Sequence, residues 1–212
     1  MPAISLGERL SAGISRLGLA DPPDEKQQKL LIAYLELLAR WNRKVNLTAI
    51  HSIDEMVDRH LLDSLTVLPY LEGESVTDVG SGAGLPGIPI AICKPTLSVM
   101  MLDSAARKTR FIRQAIAELN LTNAEVLHTR VQDASASKVN TVVARAFSTP
   151  VDIIEMCRHL CVDGGVFLLF MAHVGNKLDT LPAGCTLERV DAVVVPNSDA
   201  TRHIAVCRVH EV

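Results

Sequence analysis

The first seventy residues repeat apolar positions with the period of an α-helix. Residues 21–25, DPPDE, form a typical helix start, because a capping acid, prolines in the first turn and further acids suit the positive end of a helix. The apolar positions that follow at helical spacing are Leu31, Tyr34, Leu35, Leu38 and Trp41. We expect this helix to end near Asn42 and two shorter helices to follow, over residues 53–61 and 63–71. Residues 1–72 are therefore predicted to be a helical extension.

From residue 75 the chain changes to short apolar runs separated by amphipathic stretches. Strands are predicted over residues 75–79, 97–102, 124–128, 141–144 and 166–171. Helices are predicted over residues 105–119 and 150–160, and a further one opens at the glycines near residue 80 and stops before Pro95. This alternation predicts right-handed strand–helix–strand units and a parallel sheet covered on both faces. Residues 187–195 and 203–209 flank a turn and predict an antiparallel hairpin at one edge, so residues 73–212 form the expected α/β core.

A glycine-rich turn connects the first predicted strand to its helix. The glycines fit two overlapping patterns, Gly80-x-Gly82-x-Gly84 and Gly82-x-Gly84-x-x-Gly87, of which the second is the dinucleotide fingerprint. Asp103 ends the second predicted strand, about 20 residues further on, where a carboxylate can accept both hydroxyls of an adenosine ribose. It would repel a 2′-phosphate, so NADP is disfavoured, and it can also cap the following helix. An adenosine-bearing cofactor is predicted at this turn.

These residues alone leave NAD and S-adenosylmethionine as alternatives, since both carry adenosine. Three features favour the methyl donor. Pro86 and Pro89 remove backbone donors where a pyrophosphate would bind, and no second domain is expected to supply a hydride acceptor site. The predicted hairpin also replaces the further parallel strands of a two-halved dinucleotide fold. An NAD-linked oxidoreductase is kept as an alternative function.

Composition and charge narrow the class of protein. Hydrophobic residues make up 48% and charged residues 21% of the 212, as in a globular protein, and the net charge of −3 excludes nucleic-acid binding through overall charge but not through a local basic face. Aromatic residues make up 3%, too few for a base-stacking platform. The five cysteines lack a CxxC pair and are expected to be buried thiols, and the seven histidines show no metal-ligand spacing. Without an export signal or an apolar run of about 18 residues, we expect a cytoplasmic protein with no metal and no membrane segment.

Several motifs together carry a resemblance to a known family. They are Trp41-Asn42-x-x-x-Asn46-Leu47-Thr48, Arg59-His60-x-x-Asp63-Ser64, the block from Asp78 to Pro89 (DVGSGAGLPGIP), Leu102-Asp103-Ser104 with Arg107-Lys108, and Arg145-Ala146-Phe147. From about Leu30 to the strand before Met171, the sequence closely resembles the bacterial ribosomal RNA small-subunit methyltransferase G family, also called glucose-inhibited division protein B. The DVGSGAGLPG block is the most discriminating of these motifs.

The resemblance implies a Rossmann-like class I S-adenosylmethionine-dependent methyltransferase fold and methylation of guanine N7 in the 530 loop of 16S rRNA. The cofactor-binding residues that it implies are Asp78, Gly80, Gly82, Gly84, Leu85, Asp103, Val131, Gln132 and Arg145. Among them, Asp103 takes the ribose, Val131 and Gln132 border the adenine, and Arg145 is the catalytic residue at the rim where methyl donor and base meet. The expected partner is 16S rRNA or the small ribosomal subunit, and we expect a monomer.

The sequence departs from the family pattern at two places. Gln132 stands where the family usually carries an acid, which changes little if the contact there comes from the backbone. Met171-Ala172 stands where the family tends to a Lys-Gly pair after the fifth strand. A missing cation there would weaken contact with RNA phosphates or impair catalysis. A cofactor- or RNA-binding module with impaired turnover is therefore a second alternative function.

The end of the fourth predicted strand suits an acceptor that carries no proton. Guanine N7 offers a free lone pair, so its methylation needs no general base and can rest on alignment and desolvation. Arg145-Ala146-Phe147 stands there rather than the Asn/Asp-Pro-Pro-aromatic motif that receives an exocyclic amine. None of the five cysteines lies at this strand end, which argues against C5-pyrimidine methylation through a thiolate nucleophile. Arg145 can donate to guanine O6 or to the cofactor carboxylate, or form an ordinary ion pair with a neighbouring acid.

Basic residues without neighbouring acids predict where RNA binds. Arg107 and Lys108 follow Asp103, and with Arg59 and His60 they are expected to form an RNA-facing rim. The cluster that ends the long helix is a further candidate for this rim: Arg40, Arg43 and Lys44. The residues expected to have no such role are Arg110 and Arg113, as solvated charges, and Trp41, as a core residue.

Overall fold

The structure of the chain is a computed structural model, which describes residues 4–145, 148–172, 178, 180–198 and 201–211. The helices are α1 (Leu6–Leu17), α2 (Glu25–Val45), α3 (Ile53–Met56), α4 (Asp63–Leu65), α5 (Gly87–Cys93), α6 (Ala106–Glu118) and α7 (Pro150–Cys157). The strands are β1 (Ser75–Val79), β2 (Ser98–Asp103), β3 (Ala124–His128), β4 (Val139–Arg145), β5 (Cys161–Met171), β6 (Cys185–Val194) and β7 (Thr201–Val209). This order confirms the predicted alternation of strands and helices after residue 75.

The described strands form one seven-stranded sheet in the order β3-β2-β1-β4-β5-β7-β6. The pairs from β3 to β5 are parallel, whereas β7 pairs antiparallel with both β5 and β6. The predicted α/β class and the antiparallel hairpin at one edge are therefore confirmed. Because β1 lies between β2 and β4, the carboxyl ends of these three strands, with Val79, Asp103 and Arg145, lie along the same edge of the sheet.

Helix α2 begins where the acidic start signal predicts and continues past the predicted end at Asn42 to Val45. Its first turn carries a capping box, in which Asp24 accepts from the N–H of Gln27 and the Gln27 side chain accepts from the N–H of Asp24. The helix ends only at Asn46, which adopts a left-handed conformation with φ 47°. The Asn42 side chain instead holds the following loop through the N–H groups of Leu47 and Thr48.

The prediction of two separate helices over residues 53–61 and 63–71 was wrong. Helix α3 passes without a break into a π-helical stretch, Val57–Leu62, and this passes into α4. Residues 53–68 contain no glycine or proline, so no helix-breaking residue ends the helix at residue 62. In the wider π turn the N–H of Asp63 donates to the carbonyl of Asp58. A short 3₁₀ turn, Leu68–Tyr70, then leads to the sheet.

Strand β5 and helix α7 also differ from their predicted bounds. The strand begins at Cys161, before the Gly164-Gly165 pair that was expected to precede it. Its register with β4 changes between Val139 and Thr141, so the glycines lie in an irregular part of the strand, and Gly164 has a φ of 76°. Helix α7 ends at Cys157 rather than at Leu160, and a 3₁₀ turn, Arg158–Leu160, follows it.

Two apolar clusters cover the two faces of the sheet. One joins α1, α2 and the π-helical stretch to β1, α5 and α6, so the N-terminal helices share a core with the sheet. Trp41 packs edge-on against Phe111 in this cluster, with ring centroids 5.6 Å apart, which confirms its predicted place in the core. The other cluster contains α7. The five cysteines, which are divided between the two clusters, are buried and unpaired as predicted. None of the described helices combines the length and the apolar character that crossing a membrane requires.

Candidate active site

The glycine turn after β1 adopts a backbone that side chains would oppose. Gly80, Gly82 and Gly84 all have positive φ angles, of 67°, 60° and 83°. A Cβ on Gly84 would also lie 2.7 Å from Cγ1 of Ile88, so close packing of the turn on α5 adds a second reason for glycine there. The N–H of Ser81 donates to the carbonyl of Leu102 at 3.0 Å. This bond fixes the turn against the carboxyl end of β2.

Asp103 holds the turn from the end of β2. Its Oδ2 accepts from the N–H of Gly82 at 2.9 Å and its Oδ1 accepts from the N–H of Ala105 at 2.8 Å. Lys108 Nζ lies 3.5 Å from Oδ2, and the carboxylate is buried, with 7% of the residue exposed. Since each carboxylate oxygen can accept two hydrogen bonds, both retain a lone pair for a ligand hydroxyl. Asp103 thus fixes the backbone and remains able to bind.

A first cavity of about 460 Å³ opens beside Asp103 at the carboxyl ends of β1, β2 and β3. The predicted residues that line it are Gly80, Asp103, Lys108, Val131 and Gln132. Among the described residues, a Cβ on Gly82 would have only the carbonyl oxygen of Gly80 within 4 Å, so this part of the chain leaves the space beside Gly82 open. Five predicted cofactor residues do not line this cavity. Gly82 and Gly84 belong to the turn beside it, Asp78 and Leu85 are buried, and Arg145 lines a second cavity.

Asp78 lies beneath the glycine turn in β1 and is fully buried. Its Oδ2 accepts from the N–H of Gly87 at 2.9 Å, whereas its Oδ1 has no hydrogen-bond partner among the described residues. Burial raises the pKa of Asp78 to about 7, which the hydrogen bond from Gly87 only partly opposes. One carboxylate oxygen at this place is therefore free to accept from a polar ligand group or to carry a proton.

The start of α5 has no backbone donor left for a pyrophosphate. The N–H of Gly87 donates to Asp78, that of Ile88 to the carbonyl of Gly84, and that of Ile90 to the carbonyl of Pro86. Pro89 has no N–H at all. A dinucleotide fold uses such donors to bind its phosphates, so the geometry disfavours NAD at this turn.

A second cavity, of about 380 Å³, lies where β4, β5 and β7 meet the π-helical stretch. The polar residues in its wall include Arg59, His60, Asp63, Arg145 and Arg202, and Met171 and Ala172 also line it. Arg145 Nη1 donates to Asp63 Oδ2 at 2.8 Å, and Arg202 Nε donates to Asp63 Oδ1 at 3.2 Å. Arg145 therefore forms an ion pair with an acid, which was one of the roles that its position in the sequence allowed. It also lines the second cavity. The neighbouring Ala146 and Phe147 lie outside the described residues.

Two of these residues received no role from the sequence. Asp63 belongs to the RHxxDS motif of the family resemblance, but nothing in the sequence indicates which residue it pairs with. Arg202 lies in β7, where nothing in the alternating pattern separates it from a solvent-exposed strand residue. Only the pairing of β7 with β5 brings Arg202 close to the end of β4.

His60 connects two of the motifs. Its Nε2 lies 2.8 Å from Thr48 Oγ1, and its Nδ1 lies 3.1 Å from the carbonyl oxygen of Arg59. Burial, and then the charge of Arg145, lower the pKa of His60 to about 4. The imidazole is therefore neutral at pH 7 and does not add a positive charge to the cavity wall.

The other predicted RNA contacts lie around the two cavities. Arg107 is exposed on the first turn of α6, and Arg59 is exposed with Nη1 2.5 Å from Glu55 Oε1. Lys108 is half-buried because it pairs with Asp103. Arg40 Nη2 lies 3.4 Å from Glu118 Oε2. Within the described parts of the chain, no group of three or more His, Cys, Asp or Glu side chains is placed to hold a metal ion.

Comparison with known sequences relates most of the chain to one family. A family model described as rRNA small subunit methyltransferase G matches residues 27–205. A protein of Nitrosococcus oceani named ribosomal RNA small subunit methyltransferase G is 43% identical over 207 residues, covering 96% of either chain. A protein with the same name from Neisseria meningitidis serogroup C is 42% identical over 203 residues, covering 95% of this chain and 97% of its own.

Solved structures of low sequence identity share the fold. A SAM-dependent methyltransferase from Aquifex aeolicus superposes with a TM-score of 0.56 at 19% identity, over 70% of this chain and 91% of its own. A tRNA methyltransferase from the same organism has a TM-score of 0.56 at 12% identity, over 71% of this chain and 69% of its own. The fold is therefore of the Rossmann-like class to which these enzymes belong.

Proposed function

The chain belongs to the rRNA small subunit methyltransferase G family, and from this membership we propose that it methylates N7 of a guanine in the 530 loop of 16S rRNA, with S-adenosylmethionine as methyl donor. The observation that carries this proposal is the pair of cavities at one edge of the sheet, one beside Asp103 and one beside Arg145. The first cavity suits an adenosine and the second suits a base. The end of β1 borders the first cavity and the end of β4 borders the second, and these two strands are neighbours in the sheet.

The residues of the first cavity fit S-adenosylmethionine. Asp103 retains lone pairs for the ribose hydroxyls, and Val131 and Gln132 border the adenine. Open space beside Gly82 admits the ligand close to the backbone, and the unpartnered Oδ1 of buried Asp78 suits a positively charged amino group nearby. When bound, this cofactor supplies a methyl group on a sulfonium sulfur. The protein holds it in place and excludes water.

The second cavity suits an acceptor that needs no general base. Guanine N7 attacks with its own lone pair, so catalysis rests on orientation and on removal of water. Arg145 faces this cavity and can donate to guanine O6, which distinguishes guanine from adenine. His60, with a pKa of about 4, would be a weak base at pH 7, which agrees with a reaction in which no proton is removed.

Neither alternative function is favoured. The N–H groups at the start of α5 bond within the protein, which argues against an NAD-linked oxidoreductase. The impaired module was suggested by Met171 and Ala172, and both line the second cavity beside Arg145 and Arg202. These two guanidinium groups supply positive charge at the place where the Lys-Gly pair of the family is missing.

The basic residues around the cavities are the proposed RNA contacts. Arg59 and Arg107 offer exposed charges to phosphates, Lys108 lies at the rim of the first cavity, and His60 offers a neutral imidazole to the second. We also propose that the protein acts as a monomer. We place the enzyme in the cytoplasm with the small ribosomal subunit as its partner.

The test is transfer of a labelled methyl group. Purified protein is incubated with labelled S-adenosylmethionine and small subunits from bacteria that lack the modification, with free 16S rRNA in a parallel reaction. We expect label in the 530 loop, recovered as 7-methylguanosine after digestion of the RNA. Label in another base or another region would contradict the proposal, and the difference between the two reactions identifies the true substrate form. An Asp103→Ala variant is the control for incorporation that depends on the first cavity.

A further inference from the structure

Asp63 occupies an unusual position between two arginines in the wall of the second cavity. One carboxylate oxygen accepts from Arg145 at 2.8 Å and the other accepts from Arg202 at 3.2 Å. The Asp63 side chain is 5% exposed, whereas those of Arg145 and Arg202 are 19% and 28% exposed. The carboxylate is therefore held at the base of the pair, and the guanidinium groups reach further toward solvent.

The charges that the described residues bring to this wall are positive in sum. Two guanidinium groups face one carboxylate, and the nearby imidazole of His60 is neutral at pH 7. Arg59 pairs with Glu55 at the protein surface, and this pair adds no net charge to the wall until RNA phosphate competes for Arg59. A positive wall attracts RNA phosphate, but it opposes any step that places further positive charge on the bound base.

Methylation of N7 is such a step. The bond between sulfur and the methyl carbon breaks, the bond between that carbon and N7 forms, and the electron pair of the broken bond stays on sulfur. No proton is lost, so the positive charge of the sulfonium moves to the purine ring. The transition state therefore develops positive charge beside Arg145 and Arg202, and a nearby carboxylate would lower its energy.

We propose that Asp63 is a positioning residue which compensates the charge of Arg145 and Arg202 so that the purine can become cationic beside them. This inference rests on the proposed function, because it needs N7 as acceptor. A second consequence follows from geometry. A free arginine usually donates to guanine O6 and N7 together, which would occupy the attacking lone pair. Asp63 takes one donor from each guanidinium and so reduces the number of donors left for such a contact.

The first experiment compares Asp63→Asn with Asp58→Asn. Asp58 lies in the π-helical stretch that leads into Asp63, is equally buried and pairs with Arg9, but it does not line the second cavity. At saturating cofactor and RNA, we expect Asp63→Asn to lower the single-turnover rate on the order of 100-fold. Affinity for unmethylated RNA should stay within about threefold of the wild type, since the arginines remain. Asp58→Asn should be less stable but should keep its rate.

The second experiment does not depend on activity. RNA that carries 7-methylguanine, which is cationic, is compared with RNA that carries neutral 7-methyl-7-deazaguanine of the same shape. We expect wild-type protein to bind the cationic base on the order of tenfold more tightly, and Asp63→Asn to lose this preference. Because the wild type alone gives the first half of the result, the test holds even if the variant folds poorly.

The outcomes separate this inference from the proposed function. If the wild type methylates N7 but binds both bases equally, or if Asp63→Asn keeps the full rate, the role of Asp63 is overturned and the proposed function stands. If the wild type places no methyl group on guanine N7, the proposed function fails, and the inference fails with it. A rate loss in Asp58→Asn equal to that in Asp63→Asn would assign both to lost stability and would also overturn it.

Discussion

Three aspartates near the edge of the sheet show how one residue type acquires different properties from its surroundings. Asp103 receives two backbone N–H groups and a lysine, Asp78 receives one N–H while fully buried, and Asp63 receives two arginines. Hydrogen bonds and positive charge favour a carboxylate, whereas burial without them favours the protonated acid. At Asp78 a single N–H only partly opposes the effect of burial, which raises the pKa of this group to about 7.

Replacing Asp103 tests the ribose contact. We expect Asp103→Asn to weaken binding of S-adenosylmethionine about 10- to 100-fold, because hydrogen bonds to a charged acceptor contribute about 1.5–3 kcal/mol. Isothermal titration calorimetry gives the dissociation constant. Asp133→Asn is the matched control, since Asp133 is exposed in the 3₁₀ turn with Val131 and Gln132 but does not line the cavity. An unchanged constant for Asp103→Asn would remove Asp103 from the cofactor site.

Asp78 and His60 should make opposite contributions to the pH dependence of stability. The pKa of Asp78 rises from 3.8 to about 7, so the folded state keeps a proton that the unfolded state has lost, and stability falls as pH rises between these values. The pKa of His60 falls from 6.5 to about 4, so the unfolded state binds the extra proton, and stability falls as pH falls through that window.

Removing one of the two groups should reveal the other. In His60→Gln, the free energy of unfolding between pH 4 and 6.5 should fall with rising pH more steeply than in the wild type, by the equivalent of about one proton. Asp78→Asn should change the slope in the opposite direction. Urea unfolding across this pH range measures both slopes. Curves that run parallel to the wild type would show that neither group has the shifted pKa.

At the scale of elements, the N-terminal helices support the glycine turn and place side chains in the wall of the second cavity. Helix α2 lies against α5 and α6. The π-helical stretch places Arg59 and His60 at the second cavity, and the start of α4 places Asp63 there. Inserted π turns are frequent at functional sites because they change which side chains share a face of the helix. The loop after α2 is held by Asn42 and delivers Thr48 to His60, so these helices position residues that the sheet alone would not.

Tyr34 is the contact through which α2 supports the glycine turn. It is fully buried, and its hydroxyl donates to the carbonyl of Ala83 at 2.6 Å. We expect Tyr34→Phe to weaken cofactor binding about fivefold, since a lost hydrogen bond costs about 1 kcal/mol and leaves a buried carbonyl unpaired. The rate at saturating cofactor should be unchanged, because the second cavity does not contain Tyr34.

Tyr70→Phe is the matched control for Tyr34→Phe. Tyr70 also loses a contact, since it interacts with Asp191 and lies 5.6 Å from the Arg189 guanidinium. Both partners lie on β6, at the edge of the sheet, and not at the glycine turn after β1. Calorimetry of cofactor binding and thermal unfolding are measured on both variants. Equal cofactor affinity in the two variants, at similar stability, would show that the Tyr34 hydroxyl has no role in shaping the turn.

At the scale of the whole molecule, a protein of net charge −3 must bind RNA through local charge. The exposed arginines near the carboxyl edge of the sheet provide it, whereas the far ends of the strands carry structural ion pairs such as Arg208 with Glu72 and Glu188. Binding should therefore be oriented, with the edge that holds both cavities facing the RNA.

The salt dependence of RNA binding tests this orientation. Arg107→Gln should lower the slope of log K against log salt by about 1, because one phosphate contact is lost. Arg113→Gln, further along the same helix and also exposed, should leave the slope unchanged. Fluorescence anisotropy with a labelled 530-loop fragment measures both. A slope that Arg107→Gln does not alter, or that Arg113→Gln lowers equally, would place the RNA elsewhere.

What the sequence alone determined is the set of local features. The periodic patterns predicted the strands, the parallel sheet and the hairpin, and glycine spacing with Asp103 predicted a ligand cavity at this turn. Each of these depends on short stretches of backbone with restricted geometry. The continuous helix from Ile53 to Leu65 was missed, since a π turn leaves no signal in apolar spacing.

What only the tertiary structure decided is which distant residues meet. The ion pairs of Arg145 and Arg202 with Asp63 join residues from β4, β7 and an N-terminal helix. The buried state of Asp78 and His60, which shifts their pKa values in opposite directions, likewise depends on neighbours far along the chain. Coulomb energy and desolvation depend on distance in space, and separation along the chain does not specify that distance.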